Sequence, residues 1–308
     1  VSQAISDIGF VGLGNMGGAI AGRLLSSGAA LHVYDSDAAT LERFSGLGAF
    51  SHSSPQGVAD AADVVFTCLP HLAACREVTL GGSGLVKGSR IRVFVEMSTV
   101  GPNHLRDYAD ILSKSGIRTL DAPVSGGASA ARSGSLTIMT AGEEALHALL
   151  EPILSRISTS VIAIGDRPGD AQTMKLVNNL LAAANMATAF EALTLGCKLG
   201  LSPTRMADVV MRSSGASTGF TRRRIDAITS RRFDNGGKIA LLEKDIALAF
   251  EQAEQAGFPI HDMPALSGMA KLWEAAGEAG MSGDDVTALV KLVERAAGIE
   301  VREDAARS

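Results

Sequence analysis

The chain is poor in aromatic residues (4%), in proline (9) and in cysteine (3), and its 28 Lys and Arg are outnumbered by 33 Asp and Glu among 308 residues. A net charge of -5 with so few rings argues against a nucleic-acid partner, which needs a basic surface and stacking platforms. Cys68, Cys75 and Cys197 are too few and too scattered for a disulfide framework or a CxxC metal pair. They suit a reduced, cytoplasmic compartment. The six histidines (His32, His52, His71, His104, His147 and His261) show no HxxxH-type pairing, so no metal is expected. No apolar run reaches ~18 residues free of charge, so no membrane span is expected. Val1–Ile8 carries Asp7 and has no basic stretch leading into an apolar one, so no secretory signal is visible.

Hydrophobic residues make up 46% of the chain and charged residues 20%, enough apolar material for a sizeable core. The length suggests about two domains at ~150 residues each. The first half alternates short apolar runs with helix-like stretches. Strands are expected at Ile5–Val11, Ala30–Asp35, Asp63–Thr67, Arg90–Glu96, Ile117–Asp121, Ser135–Thr140 and Ser160–Ile164, with helices at Asn15–Ser27 and Asp37–Gly46 and between most of the rest. Such βαβ alternation implies an α/β domain with a mostly parallel sheet. After about Gly165 no strand pattern returns. Asp170–Leu199 reads as one long Ala- and Leu-rich helix, followed by helical stretches near Pro203–Ser213, Thr218–Thr229, Ile239–Gln255, Pro264–Glu278 and Asp284–Ala297. The expected organisation is residues 1–165 as an α/β domain and 166–308 as an all-α domain that begins with the long helix.

Three local motifs carry chemistry. Gly12-Leu13-Gly14-Asn15-Met16-Gly17 follows the first strand and opens the first helix. Gly12 permits the tight turn, Gly14 lets the backbone approach a pyrophosphate, Gly17 lets helix and strand pack closely, and the helix N-terminus faces the phosphate charge. Asp35 ends the second strand, 18 residues beyond Gly17, where a carboxylate can accept bonds from ribose hydroxyls and repel a 2′-phosphate. The pattern is a Rossmann dinucleotide site, with NAD favoured over NADP. The second motif, Asp121-Ala122-Pro123-Val124-Ser125-Gly126-Gly127, ends a strand. Its glycines either cradle an anion with backbone N–H groups and the Ser125 hydroxyl, or simply make a turn with positive φ. The third is Lys175 and Asn179, four apart and so on one helix face, with Asn178 between them and directed elsewhere. This pair is an acid/base with an orienting amide or, as spacing alone favours, part of a solvated face.

Together these segments resemble the β-hydroxyacid dehydrogenase family, which includes 3-hydroxyisobutyrate dehydrogenases and tartronate semialdehyde reductases. The resemblance covers nearly the whole chain. It rests on Gly9 to Gly17, on Asp121 to Gly127 with Gly134 and Leu136, on Lys175-Leu176-Val177-Asn178-Asn179 and on Lys244-Asp245. It implies an N-terminal Rossmann domain, a long interdomain helix and an all-α C-terminal domain, with the active site between the domains. It also implies Lys175 as the catalytic acid/base, and Ser125, Gly126, Gly127, Asn179 and Lys244 around the substrate. Thr99 is implied beside the nicotinamide and Leu69 and Pro70 beside the adenosine half, with Lys244 lining the cofactor as well. The implied reaction is NAD-dependent oxidation of a short β-hydroxy acid by hydride transfer. Reduction of a small semialdehyde and oxidation of a threonate-type aldonate are the alternatives.

Two positions depart from the family pattern. Asp170 stands where a second glycine often follows Gly169, and Gly237 stands where relatives carry an aromatic. Loss of that ring implies a reshaped pocket and a larger substrate, polyhydroxylated or aryl-substituted as in phenylserine. A 6-phosphogluconate dehydrogenase-like enzyme is disfavoured because Val177, not His, precedes Asn178; an imine reductase is disfavoured because Lys175 is present. A nucleotide-sensing module without catalysis would not need Lys175, Asn179 and Lys244 together. The Arg222-Arg223-Arg224 and Arg231-Arg232 clusters read as a solvated face or a subunit contact, Trp273 as packing and Glu191 as structural. The Ala-rich long helix suggests packing against a second subunit, as a homodimer or homotetramer.

Overall fold

The computed structural model describes residues 5–303, so the reading of residues 1–4 as free of a signal lies outside the described residues. The chain divides into two compact units, residues 1–175 and 176–308.

The first unit is built on a nine-stranded sheet. Its strands are β1 (Asp7–Val11), β2 (Ala30–Tyr34), β3 (Phe50–Ser51), β4 (Val64–Thr67), β5 (Val93–Glu96), β6 (Arg118–Asp121), β7 (Val124–Ser125), β8 (Thr137–Ala141) and β9 (Ser160–Gly165). Their order is β3-β2-β1-β4-β5-β6-β8-β7, with β9 also paired to β8. β1 to β6 pair in parallel, and β8 runs antiparallel to both β6 and β7. The central strands are near-continuous apolar runs because helices cover both faces. Their alternate side chains enter two different cores. Ile8, Phe10, Val64, Phe66, Val93 and Val95 join one, while Val11, Val65 and Phe94 join the other. The Phe10 and Phe66 rings stack with centroids 6.1 Å apart.

The helices of this unit are α1 (Asn15–Ser26), α2 (Ala38–Gly46), α3 (Pro55–Ala61), α4 (Leu72–Leu80), α5 (Pro102–Ser113), α6 (Gly127–Ser133) and α7 (Glu144–Ile157). Asp37 opens α2 as its cap, as the sequence suggests, accepting the Thr40 N–H. The first polypeptide reversal in the strand order falls beside β1, with β2 on one side and β4 on the other. Ligands of open α/β sheets bind outside the carboxyl ends of the strands at such a switch point.

The helix α8 (Asp170–Lys198) begins in the first unit and continues into the second. The second unit then adds α9 (Pro203–Val210), α10 (Arg222–Thr229), α11 (Ile239–Gln255), α12 (Pro264–Glu278) and α13 (Val290–Ala297). Ser202 and Thr221 cap α9 and α10 through their side-chain oxygens. Phe190, Ile228, Trp273 and Leu289 lie in its core. By length and composition alone α8 could cross a membrane, which the charge-free-run criterion did not flag. Half of its most apolar window is buried, and Ala183, Met186, Phe190 and Leu193 belong to the core of the second unit.

Candidate active site

The glycine loop has the geometry its sequence demands. Gly12 adopts φ +92, and a Cβ there would strike the Cys68 carbonyl at the end of β4. A Cβ on Gly17 would strike the Gly12 carbonyl, so α1 can approach β1 only with glycine at that point. Around Gly14 a Cβ would meet nothing within 4 Å, which leaves open space at the N-terminus of α1. No side chain caps that helix. The Asp35 carboxylate accepts the Leu13 N–H at 2.6 Å and the Asp37 N–H at 2.9 Å, one on each oxygen. Asp35 therefore ties the glycine loop to the end of β2 and keeps further lone pairs for ligand hydroxyls. Leu69 packs on Gly12 and its N–H bonds the Ser98 hydroxyl at 2.8 Å, while Pro70 beside it is exposed. The uncapped N-terminus, the open space at Gly14 and the carboxylate after β2 fit a dinucleotide: Gly12 to Gly17 would hold the pyrophosphate and Asp35 the adenosine ribose.

The Gln172 side chain links the Thr99 loop to the lysine helix. Gln172 is fully buried near the start of α8. Its Oε1 accepts the Val100 and Gly101 N–H groups at 2.9 and 3.1 Å, and its amide donates to the Ser98 carbonyl at 3.0 Å and to Asp121 at 2.9 Å. Asp121 in turn accepts the Gly169 and Gln172 N–H groups, each at 2.9 Å, and so caps the orphan donors of α8. Beside it in the parallel β5–β6 register lies Glu96, also fully buried, which accepts the Ser98 N–H at 2.8 Å. Burial pushes Glu96 up to about 7 and Asp121 up to about 6, with Asp121 adding to the rise at Glu96. Lys175 follows Gln172 by three residues and is 8% exposed. Asp170 supplies an acid in the first turn of α8, where the helix dipole favours it.

Ser125 ends β7 opposite Thr137 of β8. Gly126 and Gly127 then take φ +131 and +76 as α6 opens without a side-chain cap. Both readings of this motif are compatible: the turn needs positive φ, and it leaves backbone donors at an uncapped end.

In the second unit the Asn179 amide donates to Asp245 Oδ2 at 2.6 Å, and Lys244 Nζ lies 3.0 Å from Asp245 Oδ1. One carboxylate thus orients both side chains. Asn178 does not point away from this group, because its amide donates to Asn179 Oδ1 at 3.0 Å. Gly237 lies against the 3-10 turn Val286–Leu289, where a Cβ would meet Val286 at an ordinary 3.7 Å. Among the described residues no group of three His, Cys, Asp or Glu gathers as a metal site. Arg222, on the basic face, pairs with Asp208 and Asp226. Gln172 and the role of Asp245 were missed by sequence reading; an amide in a helix and an acid beside a lysine carry no local signal until their partners are known.

Two family models match the chain: the NAD binding domain of 6-phosphogluconate dehydrogenase over residues 7–165, and the NAD-binding of NADP-dependent 3-hydroxyisobutyrate dehydrogenase over residues 169–293. Among curated relatives, 2-(hydroxymethyl)glutarate dehydrogenase of Eubacterium barkeri is 35% identical, covering 96% of this chain and 97% of that protein. L-threonate dehydrogenase of Cupriavidus necator is 31% identical, covering 93% of this chain and 95% of its own length. Among solved structures, a 3-hydroxyisobutyrate dehydrogenase from Salmonella typhimurium superposes with a TM-score of 0.83 at 28% identity, covering 93% of this chain and 99% of that one. With the glycine loop, the Asp35 carboxylate and both halves of the chain matched in order, the protein belongs to the β-hydroxyacid dehydrogenase family of NAD(P)-dependent oxidoreductases.

Proposed function

We propose that the protein oxidises a β-hydroxy acid larger than 3-hydroxyisobutyrate, with NAD preferred over NADP. The observation that carries this reading is Lys175, buried on α8, with Asn179 one turn on and held by the carboxylate that also holds Lys244. When bound, NAD supplies the two-electron acceptor for the hydride that leaves the carbinol carbon. Lys175 takes the hydroxyl proton as that hydride departs, and returns it in the reverse direction. Asn179 and Lys244 hold the hydroxyl end of the substrate, and Ser125 with the Gly126 and Gly127 N–H groups holds its carboxylate. Asp35 favours NAD because a 2′-phosphate would face its charge.

The larger substrate rests on Gly237, where the family's aromatic is missing. The names of the relatives support it: 2-(hydroxymethyl)glutarate carries a second carboxylate and threonate extra hydroxyls. The small number and scatter of the cysteines suit a cytoplasmic setting. Val177, Leu181 and Leu195 on α8, with Leu199 just beyond its end, are exposed, which favours a homodimer or homotetramer. The test is a panel of β-hydroxy acids from 3-hydroxyisobutyrate to threonate, 2-(hydroxymethyl)glutarate and phenylserine, with NAD and with NADP, read by reduced-nicotinamide absorbance. Gly237→Phe should cut kcat/KM for the bulkiest good substrate by about 10-fold more than for 3-hydroxyisobutyrate. A uniform loss across the panel would remove the size argument, and equal efficiency with both cofactors would remove the NAD preference.

A further inference from the structure

The outward face of α1 holds a feature that extends well beyond the glycine loop. A groove of about 860 Å³ runs along this helix from the Leu13–Asn15 lip to Ser27. Gly14, Gly18 and Gly22, four apart and so on one face, line it without side chains. Arg23 of α1, Arg43 of α2, Arg132 of α6 and Arg156 of α7 line it with charge. No Asp or Glu lines the groove, and among the described residues none of these four guanidiniums forms an ion pair. The acid that feels Arg43 is Asp37, held below its usual range mainly by the Thr40 hydroxyl and further by Arg43, but its carboxylate is engaged by the Thr40 side chain and N–H.

Arg23 has a structural task. Its Nε donates to the Arg156 carbonyl at 3.2 Å and its Nη1 to the Arg132 carbonyl at 3.1 Å, satisfying the last turns of α7 and α6. Gly134 makes room for it, since a Cβ there would strike the guanidinium. By drawing those two helix ends together, Arg23 brings Arg132 and Arg156 to the same wall. Arg43 faces the groove from α2 with its guanidinium 4.9 Å from the Phe44 ring centroid. Four like charges gathered in a chain of net charge -5 repel one another unless an anion sits among them. Guanidiniums in this arrangement suit oxyanions, which they bind in a bidentate fork.

We infer that this groove is a second ligand site, separate from the dinucleotide site, that takes a small polyanion bearing two or more phosphate or carboxylate groups. Arg43, Arg132 and Arg156 bind it, and Arg23 positions the wall. Because the groove shares the Leu13–Asn15 lip with the glycine loop, the test uses protein saturated with NAD. Isothermal titration with inorganic pyrophosphate, and separately with citrate, should show saturable one-to-one binding to at least one probe, weakening as sodium chloride rises. Binding of pyrophosphate alone identifies a phosphorylated ligand, and of citrate alone a polycarboxylate. Arg43→Gln and Arg156→Gln should each weaken binding about 10-fold or more while turnover and Tm stay at wild-type values. Arg43→Lys, which keeps the charge and loses the fork, should fall between. Failure of both probes to bind, binding that the arginine variants leave unchanged, or release of NAD by the probe would overturn the inference.

Discussion

The two units build their candidate ligand-holding groups from different parts of the polypeptide. In the first, the work falls to backbone: Gly12, Gly17, Gly126 and Gly127 take conformations or approaches closed to other residues, and helix N-termini present N–H groups. In the second, side chains do it: Asp245 orients the Asn179 amide and the Lys244 ammonium from neighbouring helices. Backbone recognition is bound up with the fold, so changing it should damage stability and binding together. Side-chain recognition is separable from the fold, so changing it should show in kinetics alone.

Lys175 tests the comparison most sharply, because it sits on the last residue of the first unit yet is proposed to act as a side chain. Lys175→Ala should lower kcat by ~10²–10⁴-fold and leave NADH binding, read by fluorescence, nearly intact. Turnover within about threefold of wild type in the folded variant would remove its role. Next is Gly17→Ala, which forces a methyl against the Gly12 carbonyl. It should cost about 1–3 kcal/mol in denaturant unfolding and weaken NADH binding in the same protein. Loss of binding without loss of stability would break the link drawn for the first unit.

Asp245→Asn is the counterpart in the second unit. It keeps an oxygen for the Asn179 amide and removes the charge facing Lys244. We expect kcat/KM to fall about 10-fold with Tm nearly unchanged. A large drop in Tm would show that this group is as much part of the fold as the glycine loop. The last test reads stability alone and concerns Glu96→Gln. Burial raises Glu96 from the ordinary 4.5 of a glutamate to about 7, so the folded state binds more protons than the unfolded one between those values. Native stability therefore falls as pH rises from about 4.5 to about 7, by about 3 kcal/mol from this group. The glutamine variant mimics the protonated acid and should lose that part of the slope, as chemical denaturation at pH 5 and pH 8 would show. A slope equal to wild type would mean that Glu96 does not titrate in this range.

What sequence could reveal follows the same division. The β1–loop–α1 segment was legible because an apolar run, three spaced glycines and a periodic helix all point one way, and the structure differs only at the strand's first residues and at Ser27, which caps α1 rather than belonging to it. The two-residue strands β3 and β7 were not, since Phe50–Ser51 and Val124–Ser125 are strands only through the partners they pair with. The stretch Asp284–Ala297 reads as one helix, but Asp285 bonds the Thr287 N–H and hydroxyl and starts a 3-10 turn that α13 follows. Thr218 to Thr221 likewise precede α10 rather than belonging to it, because Thr221 is its cap. In the site, the glycines announced themselves by type and spacing. Gln172 and Asp245 did not, since each matters through partners 51 and 66 residues away.

The boundary between the units falls inside α8, directly after Lys175. Loops accept insertions and deletions at little cost, but a helix turns ~100° with every residue. A single codon gained or lost between Lys175 and Asn179 would swing Asn179 off the helix face that it shares with Lys175. Two codons would nearly reverse it. The gene can thus vary freely in length within many of its connections, while across these four residues it is held to a fixed reading length, and recombination between relatives at this joint would succeed only where both parents keep the same count.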